Sequence, residues 1–316
     1  MANPNKKSNK FDCYLYPKGE WIVDDYFDGT HVLHQVDETI VSKKTHFKKG
    51  SQQVDILRIR GHGLALFLDG VIQSAESDEF VYHELLVQPA MLLNPCPKKV
   101  LILGGGEGAT AREVLKHPSV EHVLMIDIDK ELVELCKKHL AVMHQDAFDD
   151  PRLELRYGDA IDYVKGTKDK FDVIIGDLID YKEGELSKLF YSREIFEKLS
   201  KMLMPDGTLS TQSSDLIPTL KEEVSYVKDL YRFMSSIFEY VALYSESIHS
   251  FSAPWSWVLA TNDVPIEGLE EKIDSRIKER GLKSRYYGSE ALRYYNSEAH
   301  RRAFSLPKDV RELIQS

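Results

Sequence analysis

VLILGGGEGATARE, residues 100–113, is the stretch that decides the fold. Val100 to Leu103 form a short continuous apolar run, as a parallel strand needs when both faces of its sheet are covered. Gly104, Gly105, Gly106 and Gly108 follow, and the bare backbone can turn sharply and approach a ligand closely. Ala109 to His117 then carries helix formers and stops at Pro118. The stretch reads strand, tight turn, helix. Alone it is not specific, because Gly104, Gly106 and Ala109 also satisfy the G-x-G-x-x-G/A spacing of a dinucleotide site.

Downstream, further strands are predicted at 122–127, 152–157, 171–177 and 207–213 beside the first at 99–103, with 239–247 and 256–261 as a closing antiparallel pair. Helices fall between them: 129–140 after Asp129 as cap, 192–203 after Ser192, and 218–236 following Pro218. That alternation is the α/β pattern. Upstream, residues 11 to about 75 alternate polar and apolar positions between turn signals at Asp28-Gly29, Lys49-Gly50, Gly61-His62-Gly63 and Asp69-Gly70, which predicts a small antiparallel sheet of hairpins. A helix begins near residue 80, with apolar spacing through Tyr82, Leu85, Leu86, Pro89 and Leu92. Residues 178–191 read as a polar loop placed where α/β enzymes carry lids, and the first ten residues as a frayed tail.

The chain has 316 residues, 42% hydrophobic and 29% charged, with no apolar stretch near the ~20 residues of a membrane helix. MANPNKKSNK at the start lacks the apolar region of a signal peptide. Cys13, Cys96 and Cys136 are widely spaced and form no C-x-x-C pair, which argues against a disulfide framework or a zinc site and points to a reducing, cytoplasmic setting. A net charge of −10 disfavours nucleic acid, whose phosphates need clustered Lys and Arg. It suits a cationic substrate, although many enzymes are this acidic for solubility alone.

Ligands of open parallel sheets bind outside the carboxyl ends of the strands. Here those ends carry acids: Asp127 after the second strand, Gly158-Asp159-Ala160 after the third, Asp177 after the fourth and Asp180 shortly beyond. A dehydrogenase needs only the strand-two acid, and a methyltransferase using adenosylmethionine adds the strand-three acid. Neither accounts for Glu107 inside the glycine loop. The donor's own carboxylate would be repelled there by roughly 1 kcal/mol at 4 Å in water, and by more in a dry cleft. A decarboxylated donor, ending in an ammonium, would instead be attracted.

At these residues the chain resembles the polyamine aminopropyltransferases, the family of spermidine, spermine and thermospermine synthases. LDGVIQSAESDEFVYHE at 68–84, GGGEGATAREVLKHPSVE at 104–121, DIDKELVELCKKHL at 127–140, YGDAIDYV at 157–164, GDLID at 176–180 and LRYYNSEAHRRAF at 292–304 look like the family's blocks, in the family's order. The resemblance implies an α/β fold: a Rossmann-like, methyltransferase-type sheet over residues 76–316 and an N-terminal β-hairpin domain over 1–75. It implies a homodimer or homotetramer, small-molecule substrates, no partner nucleic acid or membrane, and no cofactor or metal, decarboxylated S-adenosylmethionine being a co-substrate.

The implied reaction is in-line displacement at the methylene beside the sulfonium, with methylthioadenosine released. By resemblance Asp177 is the base, assisted by Tyr82, Asp180 holds the acceptor's far ammonium and Glu107 the donor's. Asp127 would bind the ribose, Asp159 with Ala160 the adenine, and Gly104 and Gly106 the donor's backbone cradle. Gln73 and His83 would contact the donor arm or the acceptor side, and Gln212 matches the family's acceptor-site glutamine. Trp21 falls where the family places an acceptor-site tryptophan. Gln53 lies one position before the family's donor-contact glutamine, where this chain has Val54, so a strand bulge would be needed to turn it inward. Phe251 stands where spermidine synthases carry a tyrosine, and TQSSD at 211–215 lacks the acid that follows the glutamine in putrescine-specific enzymes, although Asp215 can stand in.

Putrescine is the first expected acceptor, with spermidine, agmatine and cadaverine as alternatives. A non-catalytic nucleoside- or polyamine-binding protein, a methyltransferase and a dehydrogenase are the competing readings.

Overall fold

The structure, a computed structural model, describes residues 19–27, 30–179, 189–218, 221–282 and 291–315. The tail, the Asp28-Gly29 turn, Cys13 and Asp180 lie outside the described residues.

A five-stranded antiparallel sheet comes first, in sequential order: β1 (Glu20–Phe27), β2 (Thr30–Phe47), β3 (Gly50–Ile59), β4 (Gly63–Leu68) and β5 (Val71–Ala75). The β4–β5 turn has φ of 50° at Asp69 and 90° at Gly70, the left-handed pair that a two-residue hairpin requires. Helix α1 (Glu79–Leu93) follows and is buried on nearly every side, its polar Glu79, His83, Glu84 and Gln88 included.

The second sheet is built from β6 (Lys99–Gly104), β7 (His122–Asp127), β8 (Leu153–Tyr157), β9 (Phe171–Asp177), β10 (Leu203–Asp215), β11 (Tyr240–Ile248) and β12 (Ala253–Thr261). Its spatial order is β11-β12-β10-β9-β6-β7-β8, with β10, β9, β6, β7 and β8 parallel and β12 and β11 antiparallel to their neighbours. The order reverses between β6 and β9, so a crevice opens there at the strands' carboxyl ends. Connecting helices include α2 (Ala109–Leu115), α3 (Lys130–His139), α4 (Ala141–His144), α5 (Ala160–Gly166), α6 (Arg193–Met202) and α7 (Lys221–Ser235). After β12 come α8 (Ile273–Glu279), α9 (Ser297–Phe304) and α10 (Lys308–Gln315).

Alternation along β6 explains why its residues are apolar throughout. Val100 and Ile102 join the core under α1 and α2, whereas Leu101 and Leu103 join the core under α5, α6 and α7. The first core also takes in Leu57, Phe67, Ile72 and Ala75 of the N-terminal sheet, so both sheets pack on α1. Asp129 caps α3 as expected, accepting from Leu132 N at 3.0 Å. Ser192 precedes α6 but makes no side-chain cap bond. Strand β10 begins at Leu203 rather than 207, its register against β9 slipping between Leu203 and Thr208.

Candidate active site

At the order reversal the glycine turn and the fourth parallel strand meet: Gly104 pairs with Asp177, and Gly105 N–H donates to Asp177 O at 2.9 Å. Gly104 has φ of 85°, and a Cβ there would collide with the Asp177 carbonyl. A Cβ on Gly106 would stand 2.9 Å from Asp127 Oδ2, so glycine leaves that carboxylate open to a ligand. The crevice is a cavity of about 380 Å³.

Two halves of the second sheet line it. From the β6–β8 half come Gly104, Gly106, Glu107, Asp127, Asp159 and Ala160; from the β9–β12 half come Asp177, Gln212, Asp215, Phe251 and Trp255. Tyr82 of α1 and Gln73 of β5 complete the wall.

Asp177 sits at the junction. Its Oδ1 accepts from the Tyr82 hydroxyl at 3.2 Å and its Oδ2 from the Thr110 hydroxyl at 2.5 Å. Burial and the neighbouring Glu107 carboxylate raise its pKa, against the pull of His83, Thr110 and Tyr82, to about 6. A carboxylate so tuned is ionised at neutral pH yet basic enough to take a proton. Burial raises Asp127 further, to about 7, although its Oδ1 accepts from Asp129 N–H at 2.8 Å. Asp159 caps α5, accepting from Ile161 N–H at 2.6 Å, and pairs with Lys49 from the β2–β3 turn.

On the other half, Tyr82, Phe251 and Trp255 form an aromatic wall, with ring centroids 5.9 Å apart for Tyr82–Phe251 and 5.0 Å for Phe251–Trp255. Gln212 Nε2 donates to Leu178 O and to the Tyr191 hydroxyl, both at 2.8 Å. Its Oε1, like Trp255 Nε1, is buried with no hydrogen-bond partner among the described residues.

Three expected contacts are placed elsewhere. His83 does not line the cavity: it is buried behind Glu107, with Nε2 2.8 Å from Glu107 Oε1 and Nδ1 3.0 Å from Glu79 Oε2. Gln53 faces away, donating to Ser42 Oγ at 3.1 Å and Asp55 Oδ1 at 2.9 Å, and β3 pairs with β4 without a bulge. Gln52, two positions from the buried Val54 and therefore on the same face, lines the cavity instead. Trp21, on β1 opposite Gln35, is not among the lining residues. Thr110 was also missed; only its place in the first turn after the glycine loop could have signalled it.

Donor atoms of His83, Glu107 and Asp177 lie within 4.8 Å of one another. His83 Nδ1 lies 2.7 Å from the Glu79 carbonyl oxygen, and Nε2 is turned toward the Glu107 carboxylate.

Residues 79–265 match the family model for the spermine/spermidine synthase domain. The chain belongs to that family. Among curated relatives, polyamine aminopropyltransferase 2 of Hyperthermus butylicus is 40% identical over 91% of this chain and 90% of its own. Thermospermine synthase ACAULIS5 of Arabidopsis thaliana is 38% identical over 85% of this chain and 77% of its own. A solved spermidine synthase, in complex with the transition-state analogue AdoDATO, superposes with a TM-score of 0.82 at 31% identity, covering 95% of this chain and 96% of that one. The protein is therefore an aminopropyltransferase of polyamine biosynthesis, with the α/β fold expected. Among the described residues, no helix is long and apolar enough to cross a membrane.

Proposed function

We propose that the enzyme transfers the aminopropyl group of decarboxylated S-adenosylmethionine to a primary amine of putrescine, giving spermidine and methylthioadenosine. The observation that carries this reading is Asp177, poised between the nucleoside half and the aromatic half of the crevice with Tyr82 and Thr110 fixing both of its oxygens. An alkylamine is an ammonium at neutral pH and cannot attack until it loses a proton. Asp177 takes that proton, the freed lone pair forms the C–N bond, and the C–S bonding pair passes to sulfur, leaving a neutral thioether and a secondary ammonium. No resident cofactor enters this step, and much of the acceleration comes from holding nitrogen in line with the C–S bond.

In this reading the ribose hydroxyls donate to Asp127, the adenine amino group to Asp159 beside Ala160, and the donor's ammonium to Glu107. The acceptor's methylenes lie on the Tyr82–Phe251–Trp255 wall, and its far ammonium meets the open Gln212 Oε1. Spermidine as acceptor is the second reading. Phe251 brings no hydroxyl to the wall, and Asp215 offers a further carboxylate for a longer, more highly charged amine. The test is product chromatography after incubation with decarboxylated S-adenosylmethionine and, separately, putrescine, spermidine, agmatine and cadaverine. Spermidine from putrescine supports the first reading, and a tetraamine from spermidine alone replaces it with the second. Methyl transfer from intact S-adenosylmethionine would overturn both.

A further inference from the structure

Behind the cavity a chain of buried charges runs from α2 through α1 to the glycine loop. Arg112 donates to both oxygens of Glu79, at 2.7 and 2.8 Å, and to Glu113 Oε1 at 2.9 Å. Glu79 Oε2 faces His83 Nδ1 at 3.0 Å, and His83 Nε2 faces Glu107 Oε1 at 2.8 Å. Nδ1 also lies 2.7 Å from the Glu79 carbonyl oxygen, so it must carry a hydrogen. A neutral imidazole would then turn the lone pair of Nε2 toward a carboxylate; both nitrogens therefore donate and the ring is a cation.

We infer that Glu79 and His83 are positioning residues of this active site: Glu79, clamped by Arg112, holds the His83 imidazolium, and the imidazolium fixes the Glu107 carboxylate where the donor's ammonium is to bind. The inference rests on the role given to Glu107 above. A second consequence concerns Asp177. Without a cation between them, Glu107 and Asp177 would be two carboxylates confronting each other in a desolvated crevice, and one would hold a proton. The His83 charge works against that repulsion and pulls the Asp177 pKa down. The groups facing the ring are Glu79 on its own helix, Glu107 from the glycine loop and Asp177 from β9, with the Tyr82 ring 5.0 Å away. Burial works against its charge, but the hydrogen bonds to Glu107 and Glu79 outweigh burial and raise its pKa to about 10.

The test compares the parent enzyme with Glu79→Gln, His83→Gln and Glu107→Gln, checking each fold by circular dichroism. For folded Glu79→Gln and His83→Gln, the donor's KM is expected to rise about tenfold while the acceptor's stays within twofold. In His83→Gln the acidic limb of kcat/KM for the acceptor is expected to move up by about one pH unit. Parent-like donor KM and an unmoved limb in a folded His83→Gln overturn the inference. Glu107→Gln separates the layers: an unchanged donor KM there rejects the reading of Glu107 itself. Should the variants not fold, the His83 ring signals of the parent, followed by NMR, decide: an imidazolium persisting at pH 8.5 supports the inference, and a neutral ring there overturns it.

Discussion

In the proposed reaction Asp177 is the base, and burial, a facing carboxylate, the His83 ring and two hydroxyl donors converge on its side chain. Only its ionised form can accept the amine's proton, so activity should rise with pH through about 6 and fall below it. A pH profile of kcat/KM for the acceptor checks this, and Asp177→Asn should lower kcat by about a thousandfold with little change in donor KM. A second residue-scale expectation follows from β3. Gln52 lines the cavity and donates to Asp129 Oδ2 at 2.8 Å, whereas Gln53 is spent on Ser42 and Asp55. Gln52→Ala should therefore raise the donor's KM about fivefold, and Gln53→Ala should leave it within twofold, as steady-state kinetics can show.

Among elements, the strand–turn–helix at the glycine loop was legible because its constraint is local. An apolar run, glycines and a proline stop say the same thing at adjacent positions. Gly104→Ala tests how tightly that element is held: the added methyl meets the Asp177 carbonyl at a left-handed φ, so the variant should lose about 3 kcal/mol or more, read by urea unfolding, or fail to accumulate. A parent-like midpoint would refute the close approach. Strand β10 shows the opposite case. Strict alternation would put Gln212 and Asp215, three apart, on opposite faces. The register shift between Gln212 and Ser214, with Ser214 at φ 137°, puts both along the cavity. Nothing in TQSSD announces that bulge, because it forms against β12, some forty residues away in sequence.

At the scale of the molecule, the N-terminal sheet forms part of the active-site wall. Thr45 and Gln52 converge on Asp129, and Lys49 reaches Asp159, so the β2–β3 hairpin of the first sheet anchors the helix starts that follow β7 and β8. The second binding agent is the buried ionic network around Arg112. Removing one member leaves partners charged and unpaired, so Arg112→Met should destabilise the fold by about 3–5 kcal/mol. Chemical denaturation with an unchanged m-value would measure it, and a loss under 1 kcal/mol would show the network to be dispensable.

By itself the sequence determined the α/β alternation, the strand positions to within a few residues, the glycine turn and the acids at the strand ends, since periodicity and turn chemistry are written in neighbouring residues. The family resemblance added the reaction. Only the tertiary structure decided which glutamine of Gln52 and Gln53 faces the cavity, that His83 stands behind Glu107 rather than in the cavity, and that Asp215 joins Gln212. Each depends on pairing or packing with residues far along the chain: β3 with β4, α1 with α2 and the glycine loop, β10 with β12. A side chain's face and its charge state are set by what lies across from it, which a linear pattern does not contain.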